Sequence, residues 1–167
     1  MAGTRTLLLA ALLCLPLPGT ATEYLSREYE RAANYEDALE RIAADPDRYV
    51  LVYIGEGLRC PPCVYTQGQL DRAPVVAKLK PRVVVVEAFA WGTRVEHEKR
   101  LIQRFGSSRG SSTSAAPMLS FVDSSGKEVL RLPGGLKNSR EADSLADYLS
   151  GRHYTRVSLS LYVEQKQ

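Results

Sequence analysis

The sequence predicts an α/β domain, a central mixed sheet flanked by helices, and three observations carry that expectation. Two continuous apolar runs, Tyr49-Val50-Leu51-Val52-Tyr53-Ile54 and Val83-Val84-Val85-Val86, read as strands buried on both faces. Segments of helical periodicity alternate with them, as parallel crossovers require. A third apolar run, Met118 to Val122, reaches Glu128–Leu132 through Asp123-Ser124-Ser125-Gly126, which predicts an antiparallel hairpin.

The chain has 167 residues, enough for one domain with a proper core and too few for two. Its charged residues are of interspersed sign and its net charge is only +3, so the basic stripe of a nucleic-acid binder is missing. No partner of that class is expected, and the domain is predicted to be monomeric. Residues 1–21 read as a signal peptide. Arg5 supplies a positive start, Leu7 to Leu17 an apolar stretch too short to span a bilayer, and Gly19-Thr20-Ala21 a small-residue site for cleavage after Ala21. A lipid anchor on Cys14 is disfavoured by the bulky Leu13 before it. The expected location is the periplasm or another exported, oxidising compartment.

Residues 22–33 form a polar lead-in segment, open to a helix, with Tyr24, Leu25 and Tyr29 as anchors. Asn34 then caps a helix with Glu36 and Asp37 in its first turn; Ala38, Leu39 and Ile42 make its apolar face, and Pro46 stops it. After the first strand and a short loop comes Cys60-Pro61-Pro62-Cys63, with a helix beginning at the prolines and continuing through Leu70. Asp71 to Leu79 forms a second helical piece, with Pro74 in its first turn. The strand from Val83 reaches about Ala90, and Val95 to Phe105 is the next helix. Residues 106–115 have the composition of a flexible loop. Past the hairpin, Pro133-Gly134-Gly135 ends the last strand, and Asn138 and Glu141 have capping-box spacing for a helix bearing Ala142, Leu145, Ala146 and Leu149. In the tail, residues 152–167, Val157, Leu159, Leu161 and Val163 alternate with polar residues, which predicts a strand.

Cleavage after Ala21 would leave Cys60 and Cys63 as the sole sulfhydryls, spaced for a reversible disulfide at a strand's end. Exchange proceeds through a thiolate, so the site must stabilise a negative sulfur. Cys60 at a helix start meets open N–H groups and the positive end of the helix dipole. Cys63, one turn inward, is the more buried and suits the resolving thiol. Other readings stay open: a structural disulfide, although so short a loop stabilises little; a redox-sensing module without turnover; or half of a metal site, which would have to recruit His97 and His153.

The order of elements, with Cys60-Pro61-Pro62-Cys63 after the first central strand, Ala116-Pro117 opening another and Gly134 after the hairpin, resembles the thioredoxin fold over residues 34–151. Glu36-Asp37-Ala38-Leu39, Gly55-Glu56-Gly57, Asp71-Arg72-Ala73-Pro74-Val75 and Tyr154 are similar to exported thioredoxin-related proteins, including the SoxW-type proteins of sulfur oxidation. The resemblance implies a thiol–disulfide oxidoreductase that needs no cofactor beyond the cysteine pair. Cys60 would be the nucleophile, Cys63 the resolving thiol and Cys60–Cys63 the disulfide. Pro117 would be cis, with Ala116 offering its backbone to an extended substrate, and Arg59, Pro61 and Pro62 would line the contact surface. Substrates would be protein disulfides or cysteine-bearing carriers, recharged by a membrane thiol donor. A folding oxidant or isomerase is the alternative.

Tyr53 stands where thioredoxins keep a buried aspartate, so Glu87 becomes the candidate proton acceptor for Cys63, with Glu56 as a substitute. Arg59 replaces the usual tryptophan. Arg59 favours the thiolate, whereas Pro62 withholds an N–H and no histidine lies between the cysteines. The expected potential is nearer thioredoxin than DsbA, which differ by about 150 mV.

Overall fold

The computed structural model describes residues 25–57, 59–90, 93–106 and 116–166. The expected signal peptide, Tyr24, Trp91 and most of the serine-rich loop lie outside the described residues. Five strands form one mixed sheet: β1 (Glu30–Arg31), β2 (Tyr49–Gly55), β3 (Val83–Phe89), β4 (Met118–Val122) and β5 (Glu128–Pro133), in the order β1-β3-β2-β4-β5. β2 is central, parallel to β3 and antiparallel to β4, and every one of its residues is buried.

Strand alternation sends successive β2 side chains into two cores. Tyr49, Leu51 and Tyr53 join the larger one. It is completed by Leu70 of α2 (Pro61–Leu70), by Val75, Val76 and Leu79 of α3 (Ala73–Leu79), and by Leu145 and Leu149 of α5 (Ser139–Ser150). Val50, Val52 and Ile54 face the other core, closed by Tyr35, Ala38 and Ile42 of α1 (Tyr35–Ile42), Leu101 of α4 (Glu96–Leu101), and Phe105. α4 runs on into a π-helical turn, Ile102–Gly106. The caps fall where the sequence puts them. Asn34 accepts from the Asp37 N–H at 2.9 Å, and Asn138 accepts from the Glu141 N–H at 2.9 Å.

Two segments differ from expectation. The tail strand is instead a helix, α6 (Leu159–Gln165), capped by the Ser158 hydroxyl. Its alternating apolar residues satisfy a second period: Leu159, Tyr162 and Val163 are buried at helical spacing, while Leu161 is half exposed. An amphipathic tyrosine counted as apolar resolves the ambiguity in favour of the helix, which packs on α5 in the larger core. The described part of the lead-in is not helical. Its Glu30 and Arg31 add β1 beside β3, and the Ala32 N–H continues the ladder to the Val85 carbonyl at 3.0 Å. Leu25 and Tyr29 are buried anchors as expected.

Candidate active site

Cys60 sits at the N-cap of α2 in extended conformation, reached through a loop in which Gly57 has φ +83° and accepts from the Cys60 N–H at 3.1 Å. A disulfide joins it to Cys63, with the Cα atoms 5.2 Å apart. The Cys63 N–H donates to Cys60 Sγ at 3.3 Å. N-cap acceptors draw on the N2 or N3 amide. Here N2 is Pro62, so within this turn Cys63 at N3 is left as the donor. Cys60 is 7% exposed and Cys63 1%, which sets the outer sulfur against the inner one. Pro61 and Pro62 are exposed, as is Arg59, whose charge is consequently solvated and screened.

The Ala116–Pro117 peptide is cis, and β4 begins at the next residue, Met118, paired with Ile54 at the far end of β2. Pro117 is buried and Ala116 half-buried. Pro117 is set against α2 through a contact the sequence reading missed. A Cβ on Gly135 would lie 2.1 Å from Thr66 Oγ1 and 2.7 Å from Pro117 Cγ, and Gly135 itself has φ +79°. Gly135, rather than the more open Gly134, is therefore the indispensable glycine of the pair. Thr66, one turn beyond Cys63 and fully buried, accepts from the Leu136 N–H at 3.2 Å and ties α2 to the loop after β5. The signal available for both was a hydroxyl inside an otherwise apolar helix face and a paired glycine before a capping box.

Tyr53 pairs in register with Glu87 across β2 and β3, and its hydroxyl donates to the Cys63 carbonyl at 3.4 Å. A phenol thus reaches beneath the inner cysteine from the aspartate's place. Glu87 holds the lead-in: its carboxylate accepts from the Leu25 N–H at 2.9 Å and pairs with Arg31. Nearby, the Asp71 carboxylate accepts from the Ser26 N–H at 2.7 Å, and burial pushes that carboxyl above the usual range. The Tyr29 hydroxyl donates to the Leu70 carbonyl at 2.6 Å, and burial raises that phenol far above its ordinary value. The lead-in is thereby fastened both to β3 and to the C-terminal end of α2. Glu56 is half-buried in the loop before the cysteines. Among the described residues no group of three metal-ligating side chains converges, and no helix is long and apolar enough to cross a membrane.

No protein-family model matches the chain, and no curated protein matches it. Solved structures do. A thioredoxin-fold protein from Helicobacter pylori is 18% identical with a TM-score of 0.51, over 77% of this chain and 93% of that one. The DsbH oxidoreductase is 17% identical with a TM-score of 0.52, over 81% and 92%. A solution structure from Bacteroides thetaiotaomicron is 18% identical with a TM-score of 0.51, over 75% and 92%. At such identities the likeness establishes the fold, and that fold is thioredoxin's.

Proposed function

We propose that this chain is an exported thiol–disulfide oxidoreductase that reduces protein disulfides. The observation that carries the reading is Cys60 at the cap of α2, its sulfur held by the Cys63 N–H, with Cys63 buried behind it. In the dithiol form the Cys60 thiolate attacks one sulfur of a substrate disulfide. The substrate S–S bond breaks, one substrate thiolate leaves, and a mixed disulfide forms. Cys63, after losing its proton, attacks Cys60 Sγ; the mixed disulfide breaks and the second substrate thiolate departs. Two electrons pass to the substrate, and the chain is left as the Cys60–Cys63 disulfide. An external dithiol of the membrane then restores it by the reverse exchange.

What supports the reducing direction is how few groups favour the thiolate. Pro61 and Pro62 bring no N–H to the turn, and Arg59 is solvated. A reduced form so weakly favoured has a low potential. Export and a periplasmic site of action rest on the leader-like start of the chain. The SoxW-type features point to cysteine-bearing carrier proteins as substrates. The cis Ala116–Pro117 bond supports a role for the Ala116 backbone in pairing with an extended substrate segment. Cys63→Ser is expected to trap substrates through Cys60, and Cys60→Ser to lose turnover and trap nothing. If Cys63→Ser captures no partner where the wild type turns over, the assignment of roles fails.

A further inference from the structure

A second site lies on the opposite face of the sheet from α2, where α1 meets α4 and the π-helical turn. A half-enclosed cavity of about 140 Å³ opens there, with Tyr35, Leu101 and Phe105 as its apolar wall and Arg100, Arg104, His97 and Glu36 around it. The Tyr35 and Phe105 rings stand 5.3 Å apart. The Arg104 guanidinium lies over both, 4.6 Å from the Tyr35 centroid and 5.2 Å from that of Phe105. Stacking occupies the face of a guanidinium and leaves its in-plane N–H edge to donate. Neither Arg100 nor Arg104 has a carboxylate partner among the described residues. Tyr35 is only 6% exposed, yet its buried hydroxyl has no hydrogen-bond partner there. A buried polar group left unpaired in this way costs free energy, so it points to a ligand. π-helical turns such as 102–106, which carries Arg104 and Phe105 here, gather at functional sites.

We propose that this cavity binds a small monocarboxylate with an apolar body. The body fills the space between Tyr35, Leu101 and Phe105, and the carboxylate meets the donor edge of Arg104 and takes a further hydrogen bond from the Tyr35 hydroxyl, with Arg100 alongside. Charge sets the valence. Arg100 and Arg104 against Glu36 leave one net positive fixed charge, which matches a monoanion and disfavours polyanions. A planar carboxylate suits the guanidinium fork better than a point charge would. The site is separate from the disulfide and does not depend on the redox reading.

The test uses benzoate as the probe, titrated into the oxidised protein and followed by calorimetry and by backbone amide shifts. Binding is expected to saturate, with shifts confined to residues near 35–36 and 97–105. Benzamide, of the same shape without charge, is expected not to saturate. Arg104→Gln, a change at an exposed side chain, should weaken benzoate by about tenfold, the loss of one charge-assisted contact. Tyr35→Phe removes the unpartnered hydroxyl and should weaken it as well while leaving the protein folded. The proposal is overturned if benzoate does not saturate, if benzamide binds equally, if Arg104→Gln binds as wild type, or if phosphate displaces benzoate at equal concentration.

Discussion

Replacing Pro62 by alanine changes one atom group that the chemistry depends on. The residue is at N2 of α2, where an amide would point at the capping sulfur; proline has none, and the Cys63 N–H at 3.3 Å serves alone in that turn. Alanine is a strong helix former and keeps the turn, so the perturbation is one added donor. A hydrogen bond to a charged acceptor contributes roughly 1.5–3 kcal/mol. For a two-electron couple about 1.4 kcal/mol corresponds to about 30 mV. Pro62→Ala should therefore raise the reduction potential by about 30–60 mV when measured at a pH where the thiolate dominates the reduced form. The thiolate absorbance should titrate about one to two pH units lower. Equilibration against glutathione buffers gives the first quantity and absorbance near 240 nm the second. Pro61→Ala is the control, because an N1 amide does not serve the cap, and its potential should stay put. An unchanged or lowered potential for Pro62→Ala would refute the argument that a missing donor sets the reducing poise.

Three further outcomes follow from the packing and the carboxylates. Gly135→Ala forces a side chain against Thr66 and Pro117 at a positive φ; a loss of about 3 kcal/mol in urea unfolding is expected, together with impaired turnover. Asp71→Asn keeps an acceptor for the Ser26 N–H but removes a buried charge. Because burial raises this carboxyl in the fold, the wild type is penalised above the folded value and relieved as the pH falls towards the ordinary aspartate range. The variant should be the more stable at neutral pH, and the two should converge in acid melts. Glu87→Gln weakens the pairing with Arg31, so amide exchange at 25–31 should speed up; unaltered turnover and pH profile would mark Glu87 as an anchor alone, and a shifted profile as the proton acceptor.

The sheet, its buried strands, the hairpin and the helix starts could be read from the chain because each rests on local chemistry. Asn34 and Asn138 cap, Val83–Val86 can only be buried, and Asp123–Gly126 can only turn. The cysteine pair was legible for the same reason. Long-range choices were not. Whether Val157–Val163 becomes a strand or a helix depends on which side of Tyr162 finds a core, and that core joins the neighbouring α5 to β2, which is far away in sequence. Glu87 in an apolar strand gives no local sign of Arg31 and the Leu25 N–H, which reach it from a segment 56 and 62 residues away. Thr66 and Gly135 matter only because α2 and the loop after β5 come within a side chain's reach of Pro117.

The short β1 has a protective consequence. A row of unpaired backbone groups along the outer margin of a sheet invites a foreign strand and, with it, aggregation. By laying Glu30 and Arg31 beside Val84 and Val85, and the Ala32 N–H on the Val85 carbonyl, the lead-in blunts the most apolar such margin in the molecule, that of an all-valine run. The opposite margin, β5, is guarded by composition instead: Lys127, the Glu128–Arg131 ion pair and Pro133 interrupt it. Shortening the lead-in would thus uncover a valine ladder, and the first symptom would be loss of solubility.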